Sequence, residues 1–260
     1  MTELSVANQT LKRTPKYPYG VQTRAQRRGG GGKGQSERSW RKHDLIEKFM
    51  NRQLPVLAKK GRGCLIDMHA GDGQETPHPQ PDFFAGGALR TTAALAVVAA
   101  RRWKADVILC ERQQSSRQLL NGVYGGIARI LDNHQGLLDL APELAGYAWL
   151  AVLNDPNGYS TQGVDIMASL ANLNPVSDFI INFNRRSLTR PLGLTDPDHP
   201  RASVRSSYRS GLEHRWMLSP DEWRKRLGKR QVIATTPVSL SPEMESQILL
   251  VSNFIAGYGK

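Results

Sequence analysis

Apolar positions change period along this chain, and the changes mark its elements. Leu45, Ile46, Phe49, Met50, Leu54 and Leu57 recur at helical spacing and predict an amphipathic helix that Pro55 kinks or ends. The run from Gly63 to Met68 then reads as a short buried strand. Residues 74–87 form a proline-rich loop, and the alanine-rich stretch from Ala88 to Trp103 predicts a helix. Asp106 to Glu111 is a second strand, and Ser115 to Ile130 is helical with an interruption at Gly125-Gly126. A weaker third strand lies near Ala128 to Leu131, and Ala148 to Leu153 is a strong fourth. A helix from Val164 to Leu173 follows, then a fifth strand from Asp178 to Phe183. The arginine-rich segment 185–215 reads as loop. Ser219 caps a helix over Pro220 to Leu227, and two late strands cover Gln231 to Thr235 and Gln247 to Ser252.

Strands alternating with helices imply right-handed βαβ units and an α/β fold, Rossmann-like and doubly wound, with a mostly parallel sheet covered on both faces. The last two strands have no helix between them, which predicts an antiparallel C-terminal edge.

Ahead of this pattern, residues 1–39 show no sustained apolar periodicity and contain four glycines in a row, Gly29 to Gly32. Such a segment does not order by itself. The expected division is therefore a basic, glycine-rich arm over 1–39 and one domain over 40–260, with the arginine-rich insertion around 185–215. Charge sharpens the division. Of a net +12, the first 42 residues carry +8, from ten Lys/Arg against Glu3 and Glu37. A concentrated basic stretch favours a polyanion through counterion release, and Arg24, Arg27, Arg28 and Lys33 are the candidate phosphate contacts there. Arg185, Arg186 and Arg190 begin a second basic stretch that could hold phosphates if it lies on the site's side of the sheet, or be only a solvated insertion.

Other classes recede. No run of eighteen apolar residues occurs, so no membrane span is expected, and the N-terminus lacks the apolar segment of a secretory signal. Two cysteines, Cys64 and Cys110, exclude a disulfide framework on count and read as small core residues in a reducing, cytoplasmic setting. His78 and His134 have no ligand spacing with them, so no metal is expected.

Three constellations carry candidate chemistry, each at the carboxyl end of an expected strand, where open α/β sheets bind ligands. Asp67-Met68-His69-Ala70-Gly71-Asp72-Gly73 follows the first strand. Gly71 and Gly73 allow a tight turn and close approach to a ligand, and Asp67 could receive an ammonium. Glu111 ends the second strand, where a carboxylate can accept hydrogen bonds from both ribose hydroxyls of a nucleoside cofactor, or simply be solvated. Asn154-Asp155-Pro156-Asn157-Gly158-Tyr159 ends the fourth. Here Asp155 and the Pro156 carbonyl could orient an exocyclic amine, with Asn157 in the same loop and Tyr159 placed to stack on a base, although Asp-Pro and Asn-Gly are also turn signals. Asp132 and Asn133 could reach an adenine if the third strand ends beside them. His69 could line the site or make a structural hydrogen bond.

Taken together, these segments resemble class I S-adenosylmethionine-dependent methyltransferases, and more narrowly the three-Cys-motif partner proteins, a methyltransferase-like family of bacteria and mobile elements. The similar pieces are Trp40-Arg41-Lys42-His43, Ile66 to Gly73, Gly87-Ala88-Leu89, Leu109-Cys110-Glu111, Asn154 to Gly158 and Phe179 to Asn184, within roughly 40–258. The resemblance implies S-adenosylmethionine contacts at Asp67, Gly71, Gly73 and Glu111, and a substrate-facing loop at Asp155 to Gly158. Amino-methylating DNA enzymes carry Asp/Asn/Ser-Pro-Pro followed by an aromatic, whereas Asp-Pro-Asn-Gly stands here, with the ring displaced to Tyr159. The leading expectation is methyl transfer to nucleic acid, DNA ahead of RNA, with a protein partner also possible. The rivals are a non-catalytic nucleic-acid-binding or structural component on the same scaffold, and a nicotinamide-dependent oxidoreductase. The oxidoreductase is disfavoured because Thr76 stands where a third glycine would open the helix.

Overall fold

The computed structural model describes residues 37–74, 76–77, 88–89, 91–156, 162–184, 219–234 and 246–253. Nine strands are found among them: β1 (Gly63–Asp67), β2 (Thr76–Pro77), β3 (Ala88–Leu89), β4 (Asp106–Cys110), β5 (Arg129–Leu131), β6 (Trp149–Asn154), β7 (Ser177–Asn184), β8 (Gln231–Ala234) and β9 (Ser246–Ser252). The helices are α1 (Glu37–Ala58), α2 (Thr92–Trp103), α3 (Gln114–Tyr124), α4 (Gln135–Asp139), α5 (Ala141–Ala145), α6 (Gln162–Leu173) and α7 (Pro220–Arg226).

Seven strands form one sheet in the order β5-β4-β1-β6-β7-β9-β8, and β2 pairs only with β3. The strands from β5 to β7 are parallel, whereas β9 runs antiparallel to both β7 and β8. The last two strands thus form the expected antiparallel edge, with β9 inserted between β7 and the outermost β8. Such an insertion is foreign to the dinucleotide-binding order 3-2-1-4-5-6.

Alternation along the strands sorts side chains onto two faces. Leu65, Leu109, Trp149, Leu153 and Ile180 pack with α1, α2 and α3 through Ile46, Phe49, Leu54, Ala96 and Leu120. Ile66, Ile108, Val152, Phe179 and Ile181 pack on the other face with Leu137, Leu144, Met167 and Trp223 from α4 to α7. The helix after β1 therefore covers one face and the helix after β6 the other. That reversal makes the gap between β1 and β6 the topological switch point, and the carboxyl ends of strands at such a point are where open α/β sheets bind ligands.

Two expectations change in detail. Pro55 lies inside α1 without ending it. The proline has no N–H to give the preceding turn, but the helix runs only three residues further and its apolar face keeps it docked. The alanine-rich helix begins at Thr92 rather than Ala88, because Ala88 and Leu89 pair with Pro77 and Thr76. Its cap is Thr91, whose Oγ1 accepts from the Ala94 N–H at 3.2 Å. The Ser219 cap stands as expected, its Oγ accepting from the Glu222 N–H.

Helix α1 is pinned at its far end by a buried polar contact. Gln53 Nε2 donates to Asp178 Oδ2 at 2.7 Å, near the start of β7, and lies 3.3 Å from Ser252 Oγ on β9. The helix thus runs against β7, and its opening turns reach the sheet's opposite rim. Cys64 and Cys110 are buried and unbridged, with burial pushing both thiols well up. Among the described residues, no helix is long and apolar enough to cross a membrane.

Candidate functional site

Strand register aligns the three expected segments. Asp67, the last residue of β1, is paired with Leu109 of β4 on one side and Leu153 of β6 on the other. Glu111 and Asp155 each lie two residues beyond those partners, while Cys110 is level with Leu131, one residue before Asp132. Asp67, Glu111, Asp132 and Asp155 consequently share the carboxyl rim of β1, β4, β5 and β6. The loop after β1 is laced across this rim: Met68 N–H donates to the Leu153 carbonyl and Ala70 N–H to the Cys110 carbonyl, both at 3.0 Å.

Within that loop, Gly71 and Gly73 both adopt left-handed φ, +65° and +69°, but for different reasons. A Cβ on Gly73 would stand 2.7 Å from Leu120 Cδ1 and 2.8 Å from Tyr124 Cε2, so this glycine lets α3 close onto the loop. A Cβ on Gly71 would meet none of the described atoms within 4 Å. Among the described residues, Gly71 faces open space at the rim.

Asp67 is fully buried. Its Oδ1 accepts the His69 N–H at 2.9 Å, and its Oδ2 has no hydrogen-bond partner within normal distance. Burial pushes the carboxyl up to about 6, against the pull of the nearby Thr92 hydroxyl, the His69 N–H and the more distant Lys42. With the Thr92 hydroxyl the nearby side-chain donor, this buried oxygen is an incompletely satisfied acceptor.

Glu111 sits at the mouth of β4. Its Oε1 accepts the Gln113 N–H at 2.6 Å, its own N–H donates to the Leu131 carbonyl, and Arg117 Nη1 donates to its carbonyl. Asp132 is exposed beyond β5 and its Oδ1 accepts from Asn133 Nδ2. The condition that the third strand end at Asp132 is met, since β5 stops at Leu131.

His69 links the loop after β1 to the end of β6. Its Nε2 donates to Asn154 Oδ1 at 3.0 Å, while its ring stands edge-on to His134 with centroids 4.8 Å apart. His134 is fixed in turn, its Nε2 donating to the Met68 carbonyl at 2.5 Å. Burial, and then the neighbouring His134, hold the His69 imidazole down to about 4, so it is neutral at pH 7 with Nδ1 unprotonated.

Asp155 is also buried, but both its oxygens are taken. Lys42 Nζ reaches Oδ2 at 2.5 Å from the opening of α1, and Asn182 Nδ2 donates to Oδ1 at 2.7 Å from β7. Burial favours the protonated form, yet Lys42, then His43, and then the hydrogen bonds hold the carboxyl below its usual range. Lys42 counts by sequence among the cations of the basic N-terminal stretch, but it lies in α1 and pairs with Asp155, and Asn182 shows no role by spacing alone. Pro156 follows Asp155 at the rim, half-buried. Asn157 and Tyr159 lie outside the described residues, as do Arg24, Arg27, Arg28, Lys33, Arg185, Arg186 and Arg190.

No protein-family model matches the chain, and no curated protein matches it in sequence. Solved structures do resemble it. Protein LPL1258 from Legionella pneumophila, of the family model DUF519, is 11% identical with a TM-score of 0.52, over 87% of this chain and 88% of that one. A Galdieria sulphuraria protein described as a candidate sarcosine dimethylglycine methyltransferase is 11% identical over 80% of this chain and 85% of that one, with a TM-score of 0.41. Fibrillarin from Aeropyrum pernix, solved with natively bound S-adenosylmethionine, is 12% identical over 82% and 76%, with a TM-score of 0.38. At such identity the Legionella likeness is one of fold, the Rossmann-like α/β sheet already described.

Proposed function

We propose that this chain is an S-adenosylmethionine-dependent methyltransferase whose acceptor is nucleic acid, DNA in preference to RNA, and that residues 40–260 form its methyltransferase-like domain, which α1 extends back from the expected boundary to Glu37, behind a basic arm. The observation that carries this reading is the buried Asp67 carboxylate, its Oδ2 without a hydrogen-bond partner, at the sheet's switch point and at the head of the loop in which a Cβ on Gly71 would meet none of the described atoms. Those features suit the ends of a nucleoside-linked amino acid: Asp67 for its ammonium, the Gly71 backbone for close approach, Glu111 for its ribose hydroxyls, and Asp132 beside its adenine. His69 and Ala70 hold the loop in place through the contacts to Asn154 and Cys110. S-adenosylmethionine, when bound, supplies a methyl group already activated by its sulfonium, so the protein's work is alignment.

Asp155 then acts at the acceptor. Kept ionised by Lys42, it retains lone pairs beyond the two already used, and with the Pro156 carbonyl it positions the group that takes the methyl. Asn157 and Tyr159 complete that loop, and the arginines of the arm and of 185–215 supply phosphate affinity. The three-Cys-motif partner resemblance belongs to the same reading. Incubation with labelled S-adenosylmethionine and mixed DNA and RNA tests it. Label should pass to DNA and fall by about 100-fold or more in Asp155→Ala. Equal label in the variant removes Asp155 from the reaction. Absence of both label and cofactor binding at millimolar concentration leaves a non-catalytic scaffold.

A further inference from the structure

The sheet's opposite rim carries a second cluster of charge. Helix α1 ends at Ala58 and is followed by Lys59, Lys60 and Arg62 before β1, while α2 carries Arg101 and Arg102 in its last turn and Lys104 at its C-cap before β4. Because Cys64 of β1 is paired with Asp106 of β4, the two loops enter adjacent strands at the same level, about 4.8 Å apart. All six cations are exposed.

Their number exceeds what local structure needs. Two helix C-termini carry about half a negative charge each. Asp106, the one carboxylate in these loops, is bound by Arg62 Nη2 at 2.6 Å and by the Tyr147 hydroxyl. Six cations against those charges leave the rim at about +4. Two details hold the cluster in place. Arg102 has its guanidinium over the Trp103 ring, 5.2 Å from the centroid. Lys104 occupies a left-handed conformation, φ 52°, where glycine would cap the helix at about 1 kcal/mol less strain.

We propose that this basic rim, formed by Lys59, Lys60, Arg62, Arg101, Arg102 and Lys104, binds the phosphate backbone of nucleic acid at a place separate from the candidate methyl-transfer site. It goes beyond the methyltransferase reading and shares with it only the class of polymer. Neither loop exposes a large apolar side chain to enter an acyl layer, which favours a phosphodiester chain over a membrane. Regular backbone phosphates suit a fan of flexible cations, and no base is read.

The test uses the full chain and a fluorescent duplex of about 30 base pairs, titrated at several salt concentrations without S-adenosylmethionine. In Lys59→Gln/Lys60→Gln/Arg101→Gln/Arg102→Gln the slope of log affinity against log salt should fall by about 2 to 4 units, since each phosphate neutralised contributes about 0.9. Affinity at low salt should fall by at least 30-fold by the same count. The four sites are exposed, so the melting temperature should hold, and arginine at 59 and 60 should keep the slope. An unchanged slope, or a wild type that binds no duplex, overturns the proposal. So does rim-dependent binding to phosphatidylserine vesicles with no effect on DNA. A chain that binds duplex through this rim but transfers no methyl leaves the proposal standing and removes the methyltransferase reading. Methyl transfer with a salt slope indifferent to the four substitutions does the reverse.

Discussion

Asp67 and Asp155 are both buried carboxylates at one rim of one sheet, yet their surroundings differ in kind. Asp155 already has its cation: Lys42 at 2.5 Å, with Asn182 on the other oxygen. Asp67 has the His69 N–H on one oxygen and an unpartnered second oxygen, and burial lifts it to about 6. Contacts on both oxygens hold a carboxylate in place and keep it ionised, whereas a buried oxygen without a partner is an unmet acceptor. On the proposed reading, the contrast separates Asp155, which positions the acceptor, from Asp67, which receives the cofactor.

The most forceful way to break the contrast is Lys42→Met. Stripped of its ammonium, Asp155 becomes an unpaired buried charge, and destabilisation of about 3 kcal/mol is expected, read as a lower denaturation midpoint. Combining it with Asp155→Asn should recover most of that loss. Additive losses would show that the two side chains do not act as a pair.

Next in size is the divergence between the two loop glycines. Gly73→Ala drives a methyl into Leu120 and Tyr124 at a left-handed backbone and should cost about 1–3 kcal/mol of stability. Gly71→Ala should cost about 1 kcal/mol from backbone strain alone, while sharply weakening S-adenosylmethionine, because its methyl enters the open space. Thermal melts and calorimetric titration separate the two effects. A Gly71 variant that binds like wild type would remove the cradle.

Acidity provides the smallest and most specific handle. An acid whose folded pKa is raised to about 6 stays protonated to a higher pH than in the unfolded chain, so it must ionise to hold an ammonium. S-adenosylmethionine affinity should therefore be level above pH 6 and fall by about tenfold per unit below it. Asp155, held low by Lys42, gives no such inflection. A flat profile through pH 5 would place the ammonium elsewhere.

The fold was legible where one residue type has one local consequence. Apolar runs at Ala148 to Leu153 and Asp178 to Phe183 are too short and too β-rich for helices and became strands of the covered sheet within one residue at each end, and Ser219 before Pro220 caps a helix as its side chain favours. The boundary at Ala88 was not, since alanine favours helix while its pairing with Pro77 depends on a distant segment. Helices α4 and α5 escaped notice because five residues show no period. In the site, Asp67, Glu111 and Asp155 announced themselves by standing at strand ends. Lys42 did not, because an ion pair between residues remote in the chain leaves no trace in spacing. Nor did the difference between Gly71 and Gly73, which depends on where α3 lies.

Calorimetric titration of S-adenosylmethionine into wild type and Asp67→Asn at pH 7 tests the central claim most directly. Wild type should bind, and the variant should bind at least 10-fold more weakly, as expected for loss of a charge-assisted bond, while melting at an unchanged or higher temperature. Equal affinity in the two proteins, or no binding to wild type at millimolar cofactor, would contradict the assignment of Asp67 as the receptor.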